Sequence, residues 1–189
     1  MINRSPRRVM VIFEYFSMDL KKYMDSLERG KFMDPSLVKS YLYQINSAIF
    51  YCHQQDIVHR NLTPQNIFID ETGVIKIADF SLSQVFCVPQ NLWYRAPETI
   101  MGCKKILKTP TEEIWAGVSS LPYYSSDFPN WTTCNLNNHV ENLDDAGMDL
   151  LQKMLIYNPA LRIGAKEILT HECFRNLELP PGLTIVDID

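Results

Sequence analysis

The sequence lacks long apolar runs and clustered basic residues. No stretch approaches the roughly 20 apolar residues that a membrane-spanning helix needs, and the first apolar run, residues 9–16, is interrupted by Glu14. The formal net charge is -4 and the pI is near 5.6, whereas nucleic acids and anionic membranes attract clustered basic charge. We therefore expect no signal peptide, no membrane association and no nucleic-acid partner.

Closely spaced cysteines are also missing. The five cysteines form no CxxC pair and share no metal-ligand spacing with the four histidines. An odd number of separated cysteines is typical of reduced thiols, so we expect a cytoplasmic or nuclear protein. Seven glycines and eleven prolines in 189 residues indicate a globular chain rather than a disordered one. The length suits one domain with its own core.

The hydrophobic pattern predicts a mainly α-helical chain. The clearest helix follows Asp34, which is a good N-cap and precedes a proline at the first helical position. A second strong helix is predicted to follow Asp144, and shorter helices are predicted over 18–27 and 164–171. Helical spacing predicts a buried stripe in the first helix and an apolar face in the second. These comprise Val38, Leu42, Ile45 and Ile49, and then Met148, Leu151 and Leu155 with Met154 beside them.

One small β-hairpin is predicted between the long helices. The runs "IFID" and "VIKIAD" are short and apolar, and "DETG" between them is a turn signal. Residues 8–16 are β-branched and aromatic, which predicts a further strand. The stretch "LELPPGLTIVDID" (177–189) is acidic and Pro-rich near its start, so we expect residues 175–189 to form a flexible tail.

Three motifs stand in order around this hairpin: "HRNLTPQN" (59–66), "ADFS" (78–81) and "WYRAPE" (93–98). Together they resemble the catalytic half of a protein kinase. The stretches "IFEYFSMDLKKYMDSL", "LVKSYLYQI" and "LLQKMLIYNPALRI" are similar to cyclin-dependent kinases of the mitotic cell-division type. The resemblance implies an incomplete protein-kinase-like C-terminal lobe. Residues 1–174 would hold the hinge and this lobe, with an internal deletion after about residue 102.

The resemblance also implies residues for Mg-ATP. Asn66 and Asp79 match the two Mg²⁺ ligands, and both offer the hard oxygen atoms that Mg²⁺ prefers. The hinge, 14–16, would pair with adenine, Asp19 would reach the ribose, and Phe68 would form the floor of the adenine pocket. The full set is Glu14, Tyr15, Phe16, Asp19, Gln65, Asn66, Phe68 and Asp79.

Three of these assignments have a purely structural alternative. Asn66 would then hydrogen-bond only the loop backbone, and Asp79 would only cap a turn. Phe68 would be an ordinary core aromatic residue rather than one that crowds adenine.

Three residues depart from the family pattern. Asn61 stands at the position of the catalytic aspartate, and loss of a general base typically costs about 10²–10⁴ in rate. Thr63 replaces a lysine that neutralises charge on the transferred phosphoryl group. Ser81 replaces a glycine, which narrows the backbone freedom there. We therefore expect Mg-ATP binding to be weak or absent.

Other parts of the family pattern are missing from the sequence. It contains no Gly-rich phosphate loop, no strand lysine, and no helix that carries the glutamate partner of this lysine. That helix is also the main cyclin contact, so cyclin binding is doubtful. The stretch 79–98 lacks the threonine of the activation loop, with Asn91 where a threonine precedes "LWYR". A central segment with a buried "D-x-W" helix is absent after Gly102. One structural pair is retained, and we predict that Glu98 contacts Arg162.

Three hypotheses follow from these departures. In the first, the chain is a catalytically inactive kinase homologue that acts as an interaction module. Its partner would be a cell-cycle regulatory subunit that docks on the C-terminal lobe near "TPTEEIWAGVSSLPYY" (109–124). In the second, it is an active ATP-dependent Ser/Thr kinase of the cell-cycle family. In the third, it is a decayed duplicate that does not fold stably, because the missing helix leaves apolar faces of its long helices without a partner.

Overall fold

The computed structural model describes residues 12–83, 109–121, 124–127, 130, 136, 140 and 143–185. Within these residues the chain is mainly α-helical with one small antiparallel sheet in the order β1-β2-β3. None of the helices described there is long and apolar enough to cross a membrane. The elements are β1 (Met18–Asp19), α1 (Leu20–Ser26), α2 (Pro35–Gln54), β2 (Ile67–Ile69), β3 (Ile75–Ile77), α3 (Asp145–Met154) and α4 (Ala165–Leu169).

The sheet differs from the predicted hairpin in one respect. Strands β2 and β3 form the expected hairpin, but β1 adds a third strand, with Met18 opposite Ile69. Residues 12–16 of the predicted strand 8–16 carry no strand, and 8–11 lie outside the described residues. The strand therefore begins further along the chain than predicted, at the point where the chain meets β2.

Both predicted N-caps of the long helices are confirmed. The Asp34 carboxylate accepts hydrogen bonds from the Ser36 N–H at 2.9 Å and the Leu37 N–H at 3.3 Å. The Asp144 carboxylate accepts from the Gly147 N–H at 2.8 Å. Lys39 of α2 also places its Nζ 2.6 Å from Asp144 Oδ2, so the cap of α3 is tied to α2. Such caps satisfy the N–H groups that lack a partner in the first turn.

The core is formed where α2, α3 and α4 meet the short 3₁₀ turn at Glu172–Phe174. The Tyr43 and Phe174 rings pack edge to face, with centroids 5.3 Å apart. This geometry is favourable for aromatic pairs. The buried members of this cluster are Tyr43, Leu150, Ile168, Leu169, Cys173 and Phe174.

The predicted buried stripe of α2 is wrong for most of its members, since Leu42 is the one of the four that packs against the core cluster. Val38 is 37% exposed, and Leu42, Ile45 and Ile49 are only partly buried. The buried residues are instead Ser40, Tyr41, Tyr43, Gln44 and Asn46. Helix α2 turns a different face toward α4 and the hairpin. Polar side chains on that face can be buried because they have hydrogen-bond partners there.

The predicted stripe lines an apolar groove instead. Val38, Leu42 and Ile45 form one wall, and Met24 and Phe32 contribute to the other. The groove has a volume of about 550 Å³, and Met24 and Phe32 are 47% and 62% exposed. The apolar surface that the sequence pattern identified is real, but it is not covered by the residues that the structure describes.

The predicted apolar face of α3 is also displaced. Leu150 is 1% exposed and belongs to the core, whereas Met148, Leu151 and Leu155 are only partly buried. Ala146 and Met154 flank Leu150 against the same cluster. The row that packs on the core therefore follows a four-residue spacing, and Met154 is the member that it shares with the prediction.

Residues after Phe174 continue along the core. Leu177 and Leu179 pack partly against the core cluster, and Pro180 lies beside Gly73 in the hairpin turn. The start of the predicted flexible tail is therefore in contact with the domain.

The displaced face of α3 can be tested by a matched pair of substitutions. Leu150→Ala should lower the free energy of unfolding by about 2–5 kcal/mol, because it leaves a cavity in a closed core. Leu151→Ala, one residue along the same helix, should cost less than half as much. Urea unfolding followed by circular dichroism measures both values. Equal losses would mean that α3 packs through the face predicted from the sequence.

Candidate functional site

The hairpin brings the two predicted metal ligands together. Ile67 at the start of β2 pairs with Ile77 at the end of β3. Asn66 and Asp79 flank this pair, and the Ala78 N–H donates to the Asn66 carbonyl at 2.9 Å. Antiparallel pairing places residues just outside the two strand ends side by side. Asn66 and Asp79 are thus neighbours because of the strand register.

Gln44 fixes this hairpin to α2. Its side chain is 7% exposed, and its Oε1 accepts from the Ile75 N–H at 2.8 Å. Its Nε2 donates to the Gly73 carbonyl at 3.2 Å. A buried amide with both ends bound is well suited to holding a strand against a helix. The sequence pattern did not identify Gln44, since it lies between apolar residues of a predicted core helix.

His59 orients the loop between α2 and β2. It is 2% exposed, its Nδ1 accepts from the Asn61 N–H at 3.2 Å, and its Nε2 lies 3.0 Å from the Ala78 carbonyl. A proton on Nε2 fits this arrangement, because a carbonyl oxygen can only accept. The Phe80 ring packs against it at 4.7 Å. His59 thus connects the backbone at Asn61 to the segment that contains Asp79.

Asn61 makes a direct side-chain contact with Asp79. Its Nδ2 donates to Asp79 Oδ2 at 2.8 Å. Asn66 Nδ2 donates to the backbone carbonyl of Asn61 at 2.9 Å and, over 3.4 Å, to Asp79 Oδ2. Both amides must point their NH₂ groups this way, because the carboxylate and the carbonyl are acceptors only. Three residues singled out from the sequence therefore meet in one hydrogen-bonded cluster.

Asp79 also caps a turn. Its backbone is left-handed, with φ 64° and ψ 67°, and it precedes the 3₁₀ turn Phe80–Leu82. Its Oδ1 accepts from the Ser81 hydroxyl at 2.5 Å and from the Ser81 N–H at 3.4 Å. The hydrogen bond from the Ser81 hydroxyl, and to a lesser extent that from Asn61, holds the pKa of the Asp79 carboxyl below its usual value.

The role of Ser81 was missed from the sequence. The sequence predicts only a loss of glycine flexibility at position 81, but the Ser81 hydroxyl donates a hydrogen bond to Asp79. A serine two residues after an aspartate is a typical turn signal, and that spacing could have revealed the contact.

Thr63 supplies no charge to the site. It is 7% exposed and occupies the N-cap position of the 3₁₀ turn Pro64–Asn66, where its carbonyl accepts from the Asn66 N–H at 2.9 Å. Gln65 in the same turn is exposed. A neutral hydroxyl at this position cannot offset negative charge on a phosphoryl group.

The predicted hinge residues, 14–16, lie toward the turn of the hairpin, away from Asn66 and Asp79. Glu14 Oε2 forms an ion pair with Lys76 Nζ at 2.6 Å, and Lys76 Nζ also lies 5.5 Å from the centre of the Phe16 ring. Phe16 in turn packs on Phe68, with centroids 5.6 Å apart. Tyr15 is 89% exposed. Phe68 is therefore half-buried against the predicted hinge, about 7 Å along the strand from Asn66.

Asp19 serves the start of α1. Its Oδ1 accepts from the Lys22 N–H at 2.9 Å, and its Oδ2 lies 3.3 Å from Lys22 Nζ. It is 8% exposed and pairs with Phe68 in the sheet. Its carboxylate is thus used as a helix cap.

Arg162 closes the end of α3. Its Nε donates to the Ile156 carbonyl at 2.7 Å, and a terminal nitrogen donates to the Tyr157 carbonyl at 3.0 Å. Its predicted partner Glu98 lies outside the described residues, and so does Asn91. The predicted ion pair therefore stays a prediction.

The chain is similar to a known protein family. A family described as "Protein kinase domain" matches residues 1–174. This range contains the hinge residues, the cluster around Asp79 and the core formed by α2, α3 and α4.

The role of Gln44 in holding the hairpin can be tested by comparing its substitution with that of Gln54, a second glutamine of the same helix. Gln44→Leu should lower the free energy of unfolding by about 1–3 kcal/mol, because it leaves the Ile75 N–H and the Gly73 carbonyl without their partner. Gln54→Leu, at the exposed end of α2, should change it by less than about 0.5 kcal/mol. Chemical denaturation measures both. A neutral Gln44→Leu would show that the hairpin does not depend on this amide.

Proposed function

Because the chain belongs to the protein kinase family, we propose that it is a cyclin-dependent-kinase-like member that does not transfer phosphate. It acts instead as an interaction module. The subfamily assignment is supported by the stretches "IFEYFSMDLKKYMDSL" and "LLQKMLIYNPALRI".

The contact between Asn61 and Asp79 carries this proposal. A substrate hydroxyl that attacks phosphate must lose its proton to a nearby base. The Asn61 amide has no basic lone pair, and its NH₂ group already donates to Asp79 at 2.8 Å. Loss of the base alone lowers the rate of a typical enzyme by about 10²–10⁴.

Thr63 adds a second, independent loss. In phosphoryl transfer, catalysis depends mainly on positioning and on positive charge around the transferred group. Thr63 is buried and neutral, and its carbonyl is engaged with the Asn66 N–H. The loop therefore keeps its fold without the charges that the reaction requires.

A docking role is supported by the segment 111–121. The Glu112 carboxylate accepts from the Gly117 N–H at 2.6 Å and the Ser119 N–H at 2.9 Å, while Val118 is fully buried. These contacts hold the loop in one shape and leave Ile114 47% exposed. We propose that this loop binds the small regulatory subunit of mitotic kinases.

Phosphate transfer to a Ser-Pro peptide, with radiolabelled ATP, tests the loss of activity. The purified chain should show no transfer above background. The double variant Asn61→Asp/Thr63→Lys restores a carboxylate and a cation, and should raise any transfer by at least about 10²-fold. Asn176→Asp adds the same negative charge as Asn61→Asp at an exposed position away from the site and should change nothing.

Transfer by the unchanged chain would contradict the proposal and favour the active-kinase hypothesis. Absence of a cooperative unfolding transition in the same preparation would favour the decayed duplicate.

Binding of the purified small regulatory subunit, measured by calorimetry, tests the docking role. Ile114→Arg should weaken binding by at least about tenfold, because it places a charge in the centre of the contact. Val58→Arg changes an equally exposed apolar residue outside the loop and should leave the affinity unchanged. No binding by the unchanged chain would remove this partner from the proposal.

A further inference from the structure

We infer that Asn61 and Ser81 close the family's metal site, so that Asp79 is held by the chain itself and binds no divalent cation. The inference rests on the proposed function, since it concerns the same cluster. It goes further because it concerns metal binding, which an inactive kinase could still retain.

Both oxygens of the Asp79 carboxylate face hydrogen-bond donors. Oδ2 accepts from Asn61 Nδ2 at 2.8 Å and from Asn66 Nδ2 at 3.4 Å. Oδ1 accepts from the Ser81 hydroxyl at 2.5 Å and from the Ser81 N–H at 3.4 Å. A carboxylate has about four lone-pair positions, so this one is saturated by groups of its own chain.

This donor set does not fit Mg²⁺. The ion requires oxygen ligands in near-octahedral geometry at about 2.0–2.1 Å. The group next to Asp79 Oδ2 is the NH₂ of Asn61, whose hydrogens carry partial positive charge and repel a cation. Asn66 donates through its Nδ2 to the Asn61 carbonyl at 2.9 Å, a bond that does not engage its Oδ1, so the obstacle to a cation lies at Asp79. A cation would have to displace Asn61 before it could reach Asp79.

Asn61 and Ser81, which close the site, both stand at positions that depart from the family pattern. An aspartate at position 61 would set a second carboxylate against Asp79, and two such groups require a shared proton or a cation between them. A glycine at position 81 would remove the hydroxyl from Oδ1. Asn61 thus replaces a repulsion between two carboxylates with a hydrogen bond, and Ser81 adds a further hydrogen bond to Oδ1.

Direct Mn²⁺ binding to the full chain tests the inference. Paramagnetic relaxation of water protons detects bound Mn²⁺ whether or not the protein is stabilised. The unchanged chain should give no more signal at millimolar Mn²⁺ than the variant Asp79→Asn. The double variant Asn61→Asp/Ser81→Gly should bind about one Mn²⁺ per chain, and this binding should disappear when Asp79→Asn is added.

Thermal unfolding provides a second measurement. Without divalent ions, Asn61→Asp should unfold at a lower temperature than the unchanged chain, and added Mg²⁺ or Mn²⁺ should restore part of the difference. Asn176→Asp is the control for the added charge and should respond to neither ion.

Two outcomes would overturn the inference. Saturable Mn²⁺ binding by the unchanged chain that is lost in Asp79→Asn would show that the site is open. Failure of the folded double variant to bind Mn²⁺ would show that Asn61 and Ser81 are not what closes it. If the double variant does not fold, the comparison of the unchanged chain with Asp79→Asn decides alone. Because phosphate transfer is measured separately, bound Mn²⁺ without transfer would overturn only this inference and leave the proposed function intact.

Discussion

The pairing of Ile67 with Ile77 is the contact on which the site depends. It sets Asn66 and Asp79 side by side at the open end of the hairpin. Gln44 then holds this hairpin against the long helix α2 through hydrogen bonds to Gly73 and Ile75. The hydrogen-bonded cluster of Asn61, Asn66 and Asp79 is therefore positioned by backbone geometry. Its side chains decide only which chemistry the cluster can perform.

That separation explains how the chain can keep the shape of a kinase loop without its reactive groups. His59 bonds to the backbone of Asn61 and Ala78, and these contacts do not require a carboxylate at position 61. A side-chain amide is close to a carboxylate in size, so the substitution leaves the packing unchanged and reverses the role from acceptor to donor. The two structural alternatives for Asn66 and Asp79, a bond to the loop backbone and a turn cap, both describe contacts that these residues make.

Much of the fold could be predicted from the sequence because its signals are local. The caps Asp34 and Asp144 and the hairpin turn each act within a few residues. The buried faces of α2 and α3 were wrong because they depend on distant partners. The helix α2 packs through Tyr43 and Gln44, and the apolar row containing Val38 lines the groove. The contact of Ser81 with Asp79 does not follow from the resemblance, which marks position 81 only as the loss of a glycine.

The position of Cys173 has a consequence for the chemistry of the core. It is 4% exposed, and burial raises the pKa of its thiol. Alkylating reagents attack the thiolate, which is scarce while the core stays closed. Cys173 becomes reactive only when the turn that carries it separates from the core. The rate at which this native thiol is alkylated therefore reports how often the domain opens, without any introduced label.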